Sequence, residues 1–144
     1  MKKYTIGIDF GTLSGRCLLA DVETGEEIAT SVLEYRHRVM SETLPDGTRL
    51  GVDWHLQHPG DYLDVLRITI RDVIKQAEIR PEQVIGIGID TTGCTILPIK
   101  KDGTPLCFLE RWKGSPNAYV KLWKHHAAPV SYTHLRAHET ELHL

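Results

Sequence analysis

Short apolar runs separated by glycine-containing turns open the chain. Residues 4–9 form one such run, which ends in Asp9, and residues 16–22 and 26–37 form the next two. Runs of this length, joined by short turns that contain glycine, are typical of antiparallel hairpins. The pattern therefore predicts a meander of three antiparallel strands.

The pattern changes in the middle of the chain. Pro59 begins a stretch in which apolar residues recur at helical spacing, with charged residues between them, and this predicts a helix. After Pro81, residues 84–90 form another apolar run, which ends in Asp90. We expect this strand to pair parallel to the first, which places Asp9 and Asp90 at the same edge of the sheet. The expected fold class is α/β, with a mixed sheet covered by helices on at least one face.

Three further segments have weaker patterns. Residues 40–57 are polar, contain a Pro-Asp-Gly turn signal and show no clear periodicity. Residues 95–99 and 104–108 flank a Lys-Asp-Gly turn and predict one more hairpin. Residues 116–127 predict the start of a helix, with His125 and His126 on its solvated face.

The residues from Val130 onward differ from the rest of the chain. They carry no helical or strand pattern, and the run Val-Ser-Tyr-Thr-His-Leu-Arg-Ala-His-Glu-Thr resembles the translation of a sequencing adapter. We therefore interpret residues 130–144 as a non-native tail, and its three histidines are not interpreted as a metal site. A genuine short amphipathic end is the open alternative.

The composition is that of an ordinary soluble globular protein. Of the 144 residues, 41% are hydrophobic and 25% are charged, and the formal net charge is −2. There is neither a basic block nor an apolar run near the ~20 residues that span a bilayer, so nucleic-acid and membrane partners are not expected. Three cysteines without CxxC spacing favour neither a disulfide framework nor a zinc site, and Cys17 and Cys94 are expected to be buried. A reduced, cytoplasmic protein without a secretion signal is expected.

The segment between the first two strands has the composition of a phosphate-binding turn. Gly11 and Gly15 allow close approach of a ligand to the backbone, and Thr12 and Ser14 add hydroxyl donors. Arg16 adds a fixed positive charge. The turn lies between two strands and lacks the GxxxxGK[ST] pattern, which distinguishes it from a Walker loop. A plain hairpin turn with a surface arginine is the alternative.

Asp9, at the end of the first strand, offers the carboxylate oxygens that hydrated Mg²⁺ prefers. The run Asp-Phe-Gly-Thr-x-Ser-x-Arg at residues 9–16, followed by the meander, resembles the first phosphate loop of the FGGY family of carbohydrate kinases. These kinases have the actin-like (ribonuclease H-like) fold, with ATP and sugar bound between two domains. The resemblance implies that residues 1–129 are part of the first such domain.

Several later runs are similar to the members of this family that phosphorylate L-ribulose. They are Asp53-Trp54, Gln57 to Tyr62, Gly86 to Asp90, Asp102 to Leu106, and Ala118 to Ala127. The resemblance implies phosphoryl transfer from ATP to L-ribulose with Mg²⁺. The residues that it assigns to ATP and phosphate binding are Gly11, Thr12, Ser14 and Arg16, with Asp9 on the metal side. Those that it assigns to the sugar are Thr92, Gly93, Cys94 and Trp123.

The resemblance also implies what lies elsewhere. The catalytic carboxylate, the adenine pocket and the second domain of the family fall beyond residue 128, so this chain alone is expected to contain no catalytic residue and to be inactive. A homo-oligomeric state of the full-length protein is left open.

Two runs depart from the family pattern. The family loop after the second Asp-ended strand more often reads Asp-Phe-Thr-Ala-Cys-Thr, whereas residues 90–95 have glycine in place of alanine at Gly93. Residues 110–116 also differ. The alternatives are therefore another FGGY kinase, such as one for xylulose, or a non-catalytic actin-like nucleotide-binding module. Trp54 and Trp112 are expected to be packing residues, and Trp123 either packs in a core or stacks on the sugar.

Overall fold

The computed structural model describes residues 2–127, so the tail at 130–144 lies outside the described residues. Within that part the strands are β1 (Tyr4–Phe10), β2 (Ser14–Asp21), β3 (Glu27–Glu34), β4 (Leu56–Gln57), β5 (Val84–Thr91) and β6 (Val120–Lys121), and the α-helix is α1 (Pro59–Gln76). Short 3₁₀ turns lie at Pro81–Gln83, Leu106–Phe108, Glu110–Trp112 and Pro116–Ala118.

The main sheet has the strand order β3-β2-β1-β5. β1 pairs antiparallel with β2, and β2 pairs antiparallel with β3, which confirms the predicted meander. β5 pairs parallel with β1 in a register that makes Asp9 and Asp90 direct partners. The mixed α/β sheet and the shared edge of these two carboxylates are therefore confirmed.

The first hydrophobic core lies between this sheet and α1. Because side chains alternate along a strand, one face of β1 and β2 is apolar and meets the helix. Its buried members include Ile6, Ile8, Cys17, Leu19, Val65 and Val73. Burying each of the larger side chains contributes about 1.5–3 kcal/mol, so this contact holds the meander and the helix in one unit.

The helix begins where the sequence predicts. Pro59 occupies its first turn, where a missing N–H costs nothing, and His58 is the N-cap residue. The Nδ1 atom of His58 accepts a hydrogen bond from the backbone N–H of Gly60 at 3.1 Å. A neutral histidine thus fills the role that Ser, Thr, Asp or Asn usually fills.

The outer strand β5 is apolar but not covered. Ile87 and Ile89 are partners of Ile6 and Ile8 and share their face of the sheet, yet they are 57% and 62% exposed. The helix lies over β2 and β3 instead. In the described part of the chain, this end of the sheet therefore presents an apolar surface to solvent.

A second core lies beside the sheet and was not predicted. Its buried residues are Met40, Leu44, Leu56, Cys107, Ala118 and Tyr119. Backbone hydrogen bonds of 2.8 and 2.9 Å join Met40 to Leu56, and β4 pairs with β6. The sequence did not reveal this core because three separate segments contribute to it and none of them has a period of its own.

The predicted helix over 116–127 is wrong. After the 3₁₀ turn Pro116–Ala118, the chain is extended and forms β6. Three residues of this segment are each no more than 2% exposed, namely Tyr119, Val120 and Leu122. A helix that packs by one face would not bury neighbouring residues in this way, whereas an extended chain between two other segments does. His125 is not on a solvated helix but packs edge-on against Trp54, with the ring centroids 4.8 Å apart.

The predicted hairpin over 95–108 is correct only at its turn. Lys100 and Thr104 are joined by a backbone hydrogen bond of 2.9 Å, and Ile99 and Pro105 form an isolated bridge. The second strand is replaced by the 3₁₀ turn Leu106–Phe108, which follows a proline that has no N–H for a ladder. Trp112, expected to be a packing residue, is 38% exposed, whereas Trp54 packs against the second core.

No helix within residues 2–127 is long and apolar enough to span a membrane.

Candidate functional site

Residues 11–13 form a tight turn between β1 and β2. The backbone N–H of Gly11 donates to the carbonyl of Ser14 at 3.0 Å, and a Cβ on Gly11 would lie 3.1 Å from that oxygen. Gly15 has a different reason to be glycine, since a Cβ there would lie 2.5 Å from both methyl groups of Val65. Gly11 therefore serves the turn itself, and Gly15 serves the packing of the turn on α1.

The polar side chains of the turn lie on its accessible side. Thr12 and Ser14 are half-buried, and Arg16 is exposed on β2. Within residues 2–127, neither the Ser14 hydroxyl nor the Arg16 guanidinium has a hydrogen bond or ion pair. A hydroxyl donor and a positive charge are therefore free to meet a ligand.

An open groove of about 410 Å³ lies on the sheet face opposite α1. Asp9, Asp90 and Arg16 stand along it, because Asp9 is the direct partner of Arg16 on β2 and of Asp90 on β5. Gly7 and Gly88 are also direct partners, and a Cβ on either would meet nothing within 4 Å. The groove is open because two glycines leave this part of the sheet without side chains.

The carboxylates at this edge fit a hydrated divalent cation. Asp9 is exposed and forms no ion pair within the described residues, although Arg16 is next to it in register. Asp90 is exposed too, and its Oδ1 atom accepts a hydrogen bond from the backbone N–H of Thr91 at 2.9 Å. Exposed carboxylate oxygens with room for water are what Mg²⁺ accepts when it keeps part of its hydration shell.

The segment after β5 continues along the end of β1. The Thr92 N–H donates to the carbonyl of Phe10 at 3.3 Å, and the Thr92 hydroxyl lies 2.9 Å from that of Thr95. A cavity of about 220 Å³ is lined by these two threonines together with Tyr62 and Val120. Gly93 faces open space, since a Cβ there would meet nothing within 4 Å.

Cys94 differs from its expectation. It was expected to be buried, but it is exposed, whereas Cys17 and Cys107 are buried. Its φ angle of 58° places it in the left-handed region, in the turn that follows β5. The apolar run that precedes it ends before the turn, so Cys94 is not part of the buried strand pattern.

Trp123 lies next to the turn between β1 and β2. Its ring is 55% exposed, and its Nε1–H points to the Thr12 hydroxyl oxygen at 3.4 Å. It is therefore not a core residue, although it follows the buried Leu122 directly. Trp123, which was predicted to bind the sugar, therefore contacts Thr12, which was predicted to bind phosphate.

Gln57 and Tyr62 were missed by sequence reasoning as site residues. Gln57 is 1% exposed, and its Nε2 atom donates to the Thr12 carbonyl at 2.7 Å. Its Oε1 atom accepts from the Tyr62 hydroxyl at 2.6 Å. Burial raises the pKa of Tyr62 to about 12, so the hydroxyl keeps its proton and remains a donor. No sequence pattern marks them as site residues, because Gln57 lies in a polar stretch without periodicity and Tyr62 is one of the apolar positions of the predicted helix.

His37, His58 and Asp61 form a cluster whose ligand atoms lie within 4.8 Å of one another. The two imidazole rings are stacked, with centroids 4.2 Å apart and an angle of 27°. Ring nitrogen lone pairs lie in the ring plane, so stacked rings direct them side by side and not toward one ion. His37 Nδ1 is 2.8 Å from Asp61 Oδ1, and His58 Nδ1 caps the helix. The cluster thus fixes the start of α1 and does not resemble a metal centre.

Comparison with known proteins adds a family to this geometry. The model of the FGGY family of carbohydrate kinases, N-terminal domain, matches residues 4–130. The chain is 58% identical over 129 residues to a ribulokinase of Shouchella clausii and 50% identical over 127 residues to a ribulokinase of Halalkalibacterium halodurans. These matches cover 89% and 88% of this chain, which spans 23% of the length of each of the two relatives.

A solved structure has the same fold at low sequence identity. The gluconate kinase from Lactobacillus acidophilus is similar with a TM-score of 0.70 and 17% identity, over 96% of this chain and 23% of that chain. The arrangement of the sheet and α1 is therefore that of the actin-like sugar kinases.

Proposed function

Because the chain belongs to the FGGY family of carbohydrate kinases, we propose that it forms the N-terminal part of an enzyme that transfers phosphate from ATP to L-ribulose, giving L-ribulose 5-phosphate. The observation that carries this proposal is the contact between Trp123, which we assign to the sugar, and Thr12, which we assign to phosphate. The curated relatives support the choice of sugar, since both are ribulokinases.

On the phosphate side, we assign ATP phosphate contacts to Gly11, Thr12, Ser14 and Arg16. The turn is tight at Gly11, which lets a phosphate approach the backbone, and the Ser14 hydroxyl and Arg16 guanidinium have no competing partner within residues 2–127. Phosphoryl transfer depends mainly on positioning and on neutralising charge, and a guanidinium beside the phosphate chain serves both.

On the metal side, we assign Asp9 to hydrated Mg²⁺, with Asp90 beside it. When bound, Mg²⁺ neutralises charge on the phosphate groups. The role of the two carboxylates is to hold the ion's water shell at the sheet edge next to the turn.

On the sugar side, we assign Thr92, Gly93, Cys94 and Trp123. The exposed Trp123 ring offers a flat apolar face, and a Cβ on Gly93 would meet nothing within 4 Å, so Gly93 leaves open space that a methyl group would reduce. Gly93 is also where the chain departs from the usual family loop, so we expect it to affect the choice between sugars.

The decisive experiment is a chimeric kinase. Residues 1–127 replace the matching segment of the Shouchella clausii ribulokinase, to which the identity is 58%. ADP release is measured with L-ribulose, xylulose and glycerol as acceptors. The proposal expects turnover with L-ribulose to exceed that with the other two.

Two results would contradict the proposal. One is a chimera that is folded by circular dichroism and elutes as the parent enzyme but prefers xylulose or glycerol. The other is a folded chimera without turnover on any of the three, which is expected of a nucleotide-binding module that has no kinase role. The parent ribulokinase, assayed in parallel, is the matched control.

We also propose that residues 1–129 belong to the first actin-like domain and that residues 130–144 are not native. Removal of the tail should then leave the melting temperature of the chain unchanged within error. A clear fall in melting temperature would show that the tail is part of the folded unit. A cytoplasmic location is proposed as well, because ATP is the phosphate donor and the three cysteines are free thiols.

A further inference from the structure

Gln57 is a buried amide whose two ends are both engaged. It is 1% exposed, and its Nε2 atom donates to the carbonyl of Thr12 at 2.7 Å, with the carbonyl of Gly11 at 3.5 Å. Its Oε1 atom accepts a hydrogen bond of 2.6 Å from Tyr62 on α1. An amide fixed at both ends cannot rotate, so its donor direction is set by the helix.

The direction of these carbonyls determines where the next N–H groups point. In a trans peptide, the C=O of one residue and the N–H of the following residue lie in one plane and point in opposite directions. When the carbonyls of Gly11 and Thr12 point inward to Gln57, the N–H groups of Thr12 and Leu13 point outward. Neither of these N–H groups donates to a backbone carbonyl within residues 2–127. Adjacent outward N–H groups in a turn form an anion-binding concavity.

The same glutamine lies close to the sugar side. It pairs with Val120 in the two-stranded sheet of β4 and β6, and the backbone N–H of Leu122 donates to His55 at 3.0 Å. Trp123 follows directly and contacts the Thr12 hydroxyl. Thr12 is therefore held through its carbonyl by Gln57 and through its hydroxyl by Trp123.

We propose that Gln57 is a positioning residue: it turns the carbonyls of Gly11 and Thr12 inward, so that the N–H groups of Thr12 and Leu13 face a phosphate group. The proposal deepens the proposed function and rests on it for the identity of the phosphate, which belongs to ATP. Gln57 touches no substrate itself, and its effect passes through the turn.

The first test needs no kinase activity. Pyrophosphate with Mg²⁺ is titrated into the ¹⁵N-labelled chain, and the amide signals of Thr12 and Leu13 are followed. These two signals should shift together on binding. Gln57→Met keeps the length and flexibility of the side chain but has no N–H donor. It should weaken pyrophosphate binding about tenfold, because an N–H of Thr12 or Leu13 that is no longer held outward loses its hydrogen bond to the charged pyrophosphate.

Three further variants separate positioning from general damage. Gln57→Glu keeps an acceptor for Tyr62 but opposes the Thr12 carbonyl with a carboxylate, so it should also weaken binding. Tyr62→Phe keeps the amide donor but releases its anchor, and a smaller loss is expected. Thr69→Val, at a buried helix residue whose hydroxyl bonds to Val65 at 2.7 Å, should lower stability without changing pyrophosphate binding.

The second test uses the chimeric kinase and compares the change in KM for ATP with the change in KM for L-ribulose. Gln57→Met should raise KM for ATP about tenfold, with a much smaller change in KM for L-ribulose. A merely structural role would instead change both constants together, as Thr69→Val does if it changes either.

The outcomes are distinct. Unchanged pyrophosphate binding in folded Gln57→Met, or amide shifts that bypass Thr12 and Leu13 in the unsubstituted chain, would overturn the role of Gln57. A chimera without L-ribulose turnover would refute the proposed function, and the pyrophosphate titration would still decide whether Gln57 orients the turn.

Discussion

Asp9 and Asp90 are direct partners on the parallel strands β1 and β5, and each is the last acidic residue of its strand. Parallel strands end at the same edge, and ligands of α/β proteins gather outside that edge. Because Arg16 is the partner of Asp9 on the other side, the edge carries two carboxylates and one guanidinium in a row. That arrangement suits a metal-bound polyphosphate better than either a free anion or a free cation.

Asp9→Asn in the chimeric kinase should lower turnover about 10–100-fold, the usual effect of changing a group that orients a metal through its outer shell. The asparagine keeps the size of the side chain and removes its charge. The Mg²⁺ concentration needed for half-maximal rate should rise as well. Asp64→Asn, on the solvent side of α1, is the matched control and should change neither quantity. Equal turnover of Asp9→Asn and the parent chimera at limiting Mg²⁺ would refute the metal role.

Arg16→Ala and Gly93→Ala should separate the two sides of the site. Arg16→Ala removes a charge next to the turn that we assign to phosphate. KM for ATP should therefore rise about tenfold or more, while KM for L-ribulose stays near its parent value. Gly93→Ala should leave KM for ATP unchanged and alter KM for L-ribulose. A Cβ at Gly93 meets nothing within 4 Å, so the fold itself should tolerate the change. If Arg16→Ala changes only KM for L-ribulose, or Gly93→Ala changes only KM for ATP, the assignment of these residues to phosphate and sugar is wrong.

The sheet could be predicted because its strands carry their own local signals. Residues 4–9 and 84–90 are short apolar runs with an acidic end, and the structure places them as β1 and β5 with only small changes of boundary. β3 is shorter than predicted: it ends at Glu34, and after Tyr35 the chain enters a turn in which the Arg38 N–H donates to the Tyr35 carbonyl at 3.1 Å.

The second core could not be predicted, because its order comes from contacts between distant segments. Tyr119, Leu122 and Trp123 have helical spacing when the sequence is considered alone, but Tyr119 and Leu122 are buried on either side of β6, an extended segment that pairs with β4. The same non-local packing determines Gln57. A glutamine in a polar stretch gives no sign that its amide will be buried against Thr12, and only the pairing of β4 with β6 places it there.

His58 should make the stability of the chain depend on pH. Burial, together with the nearby His37, lowers the pKa of His58, so the folded state binds its proton at lower pH than the unfolded state does. The contribution of His58 to the free energy of unfolding is therefore complete above the ordinary histidine pKa of about 6.5. It is lost as the pH falls through the lower pKa that His58 has in the folded state. Protonation also removes the lone pair that caps Gly60 and places a positive charge at a helix N-terminus.

His58→Asn tests this contribution, because asparagine is a good N-cap and does not titrate. Urea unfolding is measured at pH 7.5 and at pH 5.0. The unsubstituted chain should lose about 1 kcal/mol more than the variant between the two values, the usual size of one cap. His125 packs on Trp54 and is present in both proteins, so its contribution cancels in the comparison. Equal losses would show that the cap is not the pH-sensitive group.

Gly15→Ala should destabilise the fold although Gly15 lies at the start of β2, next to the turn that we assign to phosphate binding. The new Cβ would lie 2.5 Å from both methyl groups of Val65 and 3.0 Å from its Cβ, and Val65 is fully buried, so neither side can move away freely. Overpacking of this kind costs about 1–3 kcal/mol. Gly88→Ala, at a strand position with nothing within 4 Å, is the control and should cost far less.

The double variant Gly15→Ala/Val65→Ala decides what the glycine is for. Removing the Val65 methyl groups should relieve the contact, so the two substitutions together should cost less than the sum of their separate effects, by about 0.5–3 kcal/mol. In the chimeric kinase the double variant should then keep the parent KM for ATP, because packing on α1 is restored and the turn returns to its place. Strictly additive unfolding free energies would contradict the packing role. A KM for ATP that stays high in a stable double variant would instead mean that Gly15 is required for the approach of phosphate itself.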